Sequence, residues 1–200
     1  HLDNPGTIGT SGIDDIYSWT HTINPYGRDK IDEHVINSLE HRRYGGTLSW
    51  LAAEGNDLEQ TDGIAATEAI EQLEKFANSG DNFFLALGFM KPHLPFVAPA
   101  KYFEYYNTDS ILIPEIPDEY LSTLPLPSSK SISSRKLQIN LKDSLAKEIK
   151  KGYYATVTFM DEQVGRVLKK LKETGLDRNT IIVFTSDHGF HLGEHGHWQK

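Results

Sequence analysis

Residues 186–200, SDHGFHLGEHGHWQK, place Asp187, His188, His191, Glu194, His195, His197 and Lys200 directly after the apolar run TIIVF. Asp187 offers a hard anionic oxygen and His188 an imidazole nitrogen. The carboxylate favours Ca²⁺ or Mg²⁺, and the imidazole also admits Zn²⁺. Two such ligands form only half a coordination sphere. A second group, MKPHLPF, holds Lys91 and His93. Lys91 and Lys200 supply positive charge for an anionic substrate or a developing oxyanion, and His93 can hand a proton to a leaving group. Pro92 and Pro95 restrict the backbone on both sides of His93 and predict an extended conformation there. Gly189 permits a close reversal after the Asp-His pair.

Each of these features also has a plainer reading. An Asp-His pair after a strand is a common turn with a helix cap. The histidines from 188 to 197 could line a solvated loop, and the prolines could simply end a strand. HLGEH (191–195) matches the H-x-x-E-H zinc-protease pattern, which needs a helix. Gly189, Gly193 and Gly196 argue against one, since each helical glycine costs about 1 kcal/mol relative to alanine.

The elements that must position these residues follow from periodicity. Between Asp62 and Ser79, Ala66, Ala69, Ile70, Leu73, Phe76 and Ala77 recur at helical spacing, and Gly80 ends the helix. NFFLALGF (82–89) reads as a strand covered on both faces. A longer apolar stripe runs from Leu145 through Ile149, Tyr153, Val157, Met160, Val164 and Leu168 to Leu171, with lysines and Gly175 at its end. TIIVFTS (180–186) then has the β-branched character of a central parallel strand. Helix followed by buried strand, twice, predicts an α/β layered fold. Ligands in such folds collect beyond the carboxyl ends of strands, which is where both polar groups fall. If both strands share one sheet, Lys91, His93, Asp187 and His188 meet over the same edge. Residues 1–60 read as irregular structure around short elements. Residues 107–143, with four prolines and PSSKSISSRK, read as a surface excursion.

Composition narrows the function classes. Lys and Arg number 20 against 28 Asp and Glu, and the resulting charge of -8 argues against a nucleic-acid partner. An anionic substrate would need a local basic pocket. With no cysteine, thiolate metal sites and a Cys nucleophile within these residues are excluded. No apolar run approaches the length of a membrane span, and HLDNPGTIGT lacks the pattern of a signal peptide.

FFLALGFMKPHLPF, YYATVTFMDEQVGRVL and TIIVFTSDHGFHLGEHGHWQK resemble successive signatures of the type I, formylglycine-dependent sulfatases of the alkaline-phosphatase-like superfamily. KPHLPF and DHG-x-x-LGEHG-x-W-x-K are closest to the iduronate-2-sulfatase group of that family. The similarity is strong over 62–106 and 150–200 and thin over 107–149, and DDIYSWT (14–20) adds to it. The resemblance implies an α/β alkaline-phosphatase-like sandwich, its mostly parallel central sheet covered by helices on both faces. It implies that Asp187 and His188 ligate Ca²⁺, that His93 and Lys200 contact the sulfate and the ester oxygen, and that His1 assists the nucleophile. Lys91, His195 and Trp198 fall at the substrate rim by the same comparison. The implied partner is a sulfated saccharide or other sulfate ester, in a periplasmic, secreted or lysosomal setting.

Two family features are missing: the C/S-x-P-x-R motif that supplies the formylglycine, and the Asp pair that completes the calcium site. Residues 1–200 are therefore expected to be the central portion of one catalytic domain, inactive alone and completed by the remainder of the same polypeptide. Two other readings stay open. One is a metal-dependent phosphoester or phosphonate hydrolase of the same superfamily, and the other a non-catalytic glycan-binding remnant.

Overall fold

The computed structural model describes residue 15, residues 17–41 and residues 43–200. His1 and Asp14 lie outside the described residues, so the role expected of His1 has no structural counterpart. The helices are α1 (Arg28–Ile31), α2 (Thr61–Ser79), α3 (Ala100–Phe103), α4 (Tyr120–Thr123), α5 (Leu126–Ser134) and α6 (Asp143–Glu173). The strands are β1 (Asn37–Ser38), β2 (Ser49–Ala53) and β3 (Phe96–Pro99). They form a sheet of order β1-β2-β3, antiparallel between β1 and β2 and parallel between β2 and β3. Trp50 pairs with Phe96 and Ala53 with Pro99.

The two long helices fall where the apolar periodicity puts them. α2 ends at Gly80, whose φ of 74° is the left-handed conformation that glycine adopts without strain. α6 carries Lys170 and Lys172 in its last turn, and Gly175 (φ 75°) follows. α6 packs on both the sheet and α2. Its approach to the sheet depends on Gly152, where a Cβ would come within 3.1 Å of Trp50 Cβ and 3.4 Å of Phe96 Cβ. Leu48, Trp50, Leu94, Phe96, Ala146, Ile149 and Trp198 form the core between them. Arg166 reaches Thr67 Oγ1 at 2.9 Å, and Lys170 reaches Glu74 at 2.7 Å, tying α6 to α2.

The sheet is not made from the expected strands. Residues 82–89 and 180–186 have no ladder partner among the described residues. Ile181 (90 % exposed), Val183 (82 %) and Phe184 (72 %) face solvent rather than a core. Along 82–89 exposure alternates residue by residue, as on a strand with one covered face, and Phe83 stacks on Phe76 of α2 at 4.6 Å. The apolar, β-branched character is as read. What is missing is a neighbouring strand to supply hydrogen bonds, and a strand without one leaves its backbone groups to water.

Residues 107–143 contain α4, α5 and short 3₁₀ turns, and Ile111, Ile132 and Gln138 within them are buried. Among the described residues no helix is long and apolar enough to cross a membrane.

Candidate active site

The loop carrying His93 is held from beneath by α2. Asp62, in the first turn of α2, accepts hydrogen bonds from the backbone N–H groups of Met90 (2.8 Å) and Lys91 (2.9 Å). Its carboxyl is 1 % exposed, and burial pushes its pKa up to about 6 against the pull of Lys91. The Lys91 ammonium turns inward to Pro95 O at 3.1 Å and Asp29 Oδ2 at 3.4 Å. Asp29 also accepts from the Thr61 N–H (3.0 Å) and hydroxyl (2.5 Å). Burial raises the Asp29 pKa, but Lys91 and the Thr61 hydrogen bonds outweigh it and hold the carboxyl below its usual range.

Between these anchors the chain turns. The His93 N–H bonds to Met90 O at 2.9 Å, and both X-Pro bonds, Lys91-Pro92 and Leu94-Pro95, are cis. The extended conformation expected at His93 is thus replaced by a turn closed by that hydrogen bond. His93 Nδ1 lies 2.9 Å from Leu94 O, which assigns the proton to Nδ1 and leaves Nε2 available.

Lys200 reaches the site through a hairpin. The N–H groups of His191, Leu192 and Gly193 donate to the carbonyls of Gln199, Trp198 and His197. This register sets Lys200 opposite Phe190, at the open end. The reversal needs left-handed backbone at Leu192, Gly193, His195 and Gly196, so HLGEH forms a 3₁₀ turn rather than the helix a zinc protease requires. Lys200 Nζ then lies 2.6 Å from His188 Nε2, and His188 Nδ1 lies 3.2 Å from Gly189 O. His188 thus turns its Nε2 toward the ammonium. Asp187 Oδ2 lies 3.4 Å from the same Nε2.

Phe190 joins the two groups. Its ring centroid is 6.1 Å from that of His93 and 6.2 Å from that of His188. Phe96 of β3 and Tyr153 of α6 fix Phe190 from below, at 5.6 and 5.9 Å. Two imidazoles therefore flank the same aromatic ring, one of them in contact with an ammonium and a carboxylate, groups of the kind that hold an anion and move a proton.

Residues 2–200 match the family model described as Sulfatase. The chain belongs to the sulfatase family. It is 36% identical over 150 residues to the Mus musculus iduronate 2-sulfatase, covering 70% of this chain and 27% of that one. A sulfatase of Formosa agariphila is 36% identical over 163 residues, covering 79% and 32%. The multifunctional alkaline phosphatase superfamily protein PehA of Trinickia caryophylli is 34% identical over 128 residues, covering 58% and 25%. The chain thus spans about a quarter to a third of the length of the curated relatives it matches.

Within this sulfatase chain His188 contacts both Asp187 and Lys200, His93 is linked to them through the Phe190 ring, and two residues expected at a substrate rim are buried instead. Lys91 is 5 % exposed and its charge is taken up by Asp29 and Pro95 O. Trp198 is buried in the core, where its indole packs as apolar surface. His195 is exposed, stacked on Tyr120 and hydrogen-bonded to its hydroxyl. Asp62, Asp29 and Phe190 are the positioning residues that pattern reading missed. In the sequence Asp62 marked only the start of a helix, and Asp29 and Phe190 were not singled out.

Among the described residues no group of three or more His, Asp or Glu side chains could hold a metal ion. The donors present are nonetheless of the right kind: a carboxylate oxygen lies 3.4 Å from an imidazole nitrogen, and that nitrogen already attracts the Lys200 ammonium. They fit as part of the shell of a hard divalent cation.

Proposed function

We propose that the chain forms part of the catalytic site of a sulfate-ester hydrolase acting on a sulfated sugar or glycosaminoglycan. The observation that carries this reading is Phe190, whose ring makes edge contacts with both the His93 and His188 rings while Lys200 closes on His188. Asp187 and His188 would hold a divalent cation, Ca²⁺ by the hardness of the carboxylate, and the bound cation would withdraw charge from the sulfate oxygens. Lys200, displaced from His188 Nε2, turns its ammonium to a sulfate oxygen. His93, with Nδ1 fixed on Leu94 O, presents Nε2 to the ester oxygen and in its protonated form gives the leaving alcohol its proton. His195 stands at the rim. By resemblance His1 assists the nucleophile, a formylglycine supplied from outside these residues.

The same reading accounts for the exposed apolar segments. Residues 82–89 and 180–186 would enter a larger, mostly parallel alkaline-phosphatase-like sheet, with residues 107–143 lying over its surface. A sulfated saccharide as substrate places the protein in a periplasmic, secreted or lysosomal setting.

Similarity to PehA, named as multifunctional, supports a second reading as a phosphoester hydrolase. The test is turnover of an aryl sulfate and the matching aryl phosphate by the full-length protein, with metal analysis of wild type and Asp187→Asn. Faster sulfate turnover and metal lost in the variant are expected. Phosphate turnover alone would overturn the sulfatase reading in favour of the second.

A further inference from the structure

A cleft of about 380 Å³ is lined by residues 40, 43, 46, 47, 131 and 134–138, outside the group around Phe190. It gathers Arg43, Arg135 and Lys136 against one carboxylate, Glu40, in a chain whose overall charge is -8. Clustering of cations against the overall charge focuses a positive field in a concave surface.

The two arginines are held by partners. Arg43 Nη1 donates to Glu40 at 2.9 Å, which leaves its other N–H groups free of that partner. Its side chain lies across Gly46, where a Cβ would come within 2.8 Å of Nε. Arg135, just after α5, is bound through Nη1 to Gln199 Oε1. Gln138 also lines the cleft, 7 % exposed, with its amide oxygen buried and without a hydrogen-bond partner. The Ser131 hydroxyl adds a neutral donor to the wall.

The Arg135–Gln199 bond also ties the cleft to the site, since Gln199 immediately precedes Lys200. We propose that this cleft is a second anion subsite, taking a sulfate or carboxylate on the sugar next to the one whose ester is cleaved. The proposal rests on the sulfatase reading for its substrate class. Guanidinium groups suit this task because their planar donors pair with two anionic oxygens at once.

The experiment measures binding of a heparin-derived tetrasaccharide to the full-length protein by calorimetry, for wild type and the double variant Arg43→Ala/Lys136→Ala. Both residues are exposed, so the fold is retained. Affinity should fall about tenfold or more, with a shallower salt dependence, while kcat/KM on a small aryl sulfate stays unchanged. Equal affinity in the two proteins, or no binding by wild type, overturns the subsite. A desulfated tetrasaccharide that still binds in an Arg43-dependent way supports it with the carboxylate as the recognised group. If wild type leaves the aryl sulfate intact while tetrasaccharide affinity still falls in the variant, the subsite stands and the catalytic reading fails.

Discussion

Lys91 Nζ lies 3.4 Å from Asp29 Oδ2, and both side chains are withdrawn from water beneath the loop that carries His93. A residue that looked like a substrate contact is thereby a structural charge. Because its backbone N–H is also held by Asp62, Lys91 fixes the entry to the His93 turn at two points.

Removing one member of that pair leaves the other charge buried and uncompensated. Lys91→Met is expected to destabilise the fold by about 3–5 kcal/mol. Lys91→Met combined with Asp29→Asn is expected to recover part of that loss. Denaturant midpoints of the three proteins check this; a single variant as stable as wild type would contradict it.

Asp62 and Asp29 act on stability in opposite directions with pH. The folded pKa of Asp62 is raised from 3.8 to about 6, so its contribution favours the fold at the acid end and is lost as pH rises through that interval. Asp29 is held below its ordinary value, so its contribution is present at neutral pH and is lost as pH falls below the usual carboxylate range. Unfolding free energies of wild type and Asp62→Asn, measured between about pH 4 and 7, should differ by an amount that changes steadily across the window. A constant difference would remove Asp62 as the titrating group.

Phe190 has no reactive atom, yet its ring contacts both imidazoles. Phe190→Ala is expected to destabilise by about 3 kcal/mol and to lower kcat/KM on an aryl sulfate at least about tenfold, with Phe190→Leu intermediate. Unchanged kinetics in a folded Phe190→Ala protein would show that the ring does not position His93 and His188.

Gly152 sets the distance of α6 from the sheet. A methyl group there meets Cβ atoms of Trp50 and Phe96, which belong to the sheet's own strands and cannot swing away. Gly152→Ala is expected to cost about 1–3 kcal/mol in thermal or denaturant unfolding, despite the higher helix propensity of alanine.

The two long helices were legible because their stripes are continuous and their ends carry glycine. Residue type and order singled out Asp187, His188, His93 and Lys200, and the chemistry assigned to them is the proposal made above. Strand pairing was not: 180–186 has the composition of a central strand, but composition does not say which neighbour donates its hydrogen bonds, and none is present among the described residues. The same limit hid β2 and β3, short strands that pair Trp50 with Phe96 across a distance of more than forty residues in sequence. Lys91 and Trp198 were misplaced for a related reason. A charged or aromatic side chain near a motif reads as functional until its burial is known, and burial comes from Asp29 and Ile149, residues distant in sequence.

The most direct measurement of the catalytic account compares His93→Ala with wild type, in the full-length protein, on aryl and alkyl sulfates. Loss of a proton donor should cost about 10²–10⁴-fold in kcat on the alkyl ester, whose alcohol leaves poorly, and markedly less on the aryl ester. Equal kcat values for the two proteins on the alkyl ester would contradict the account.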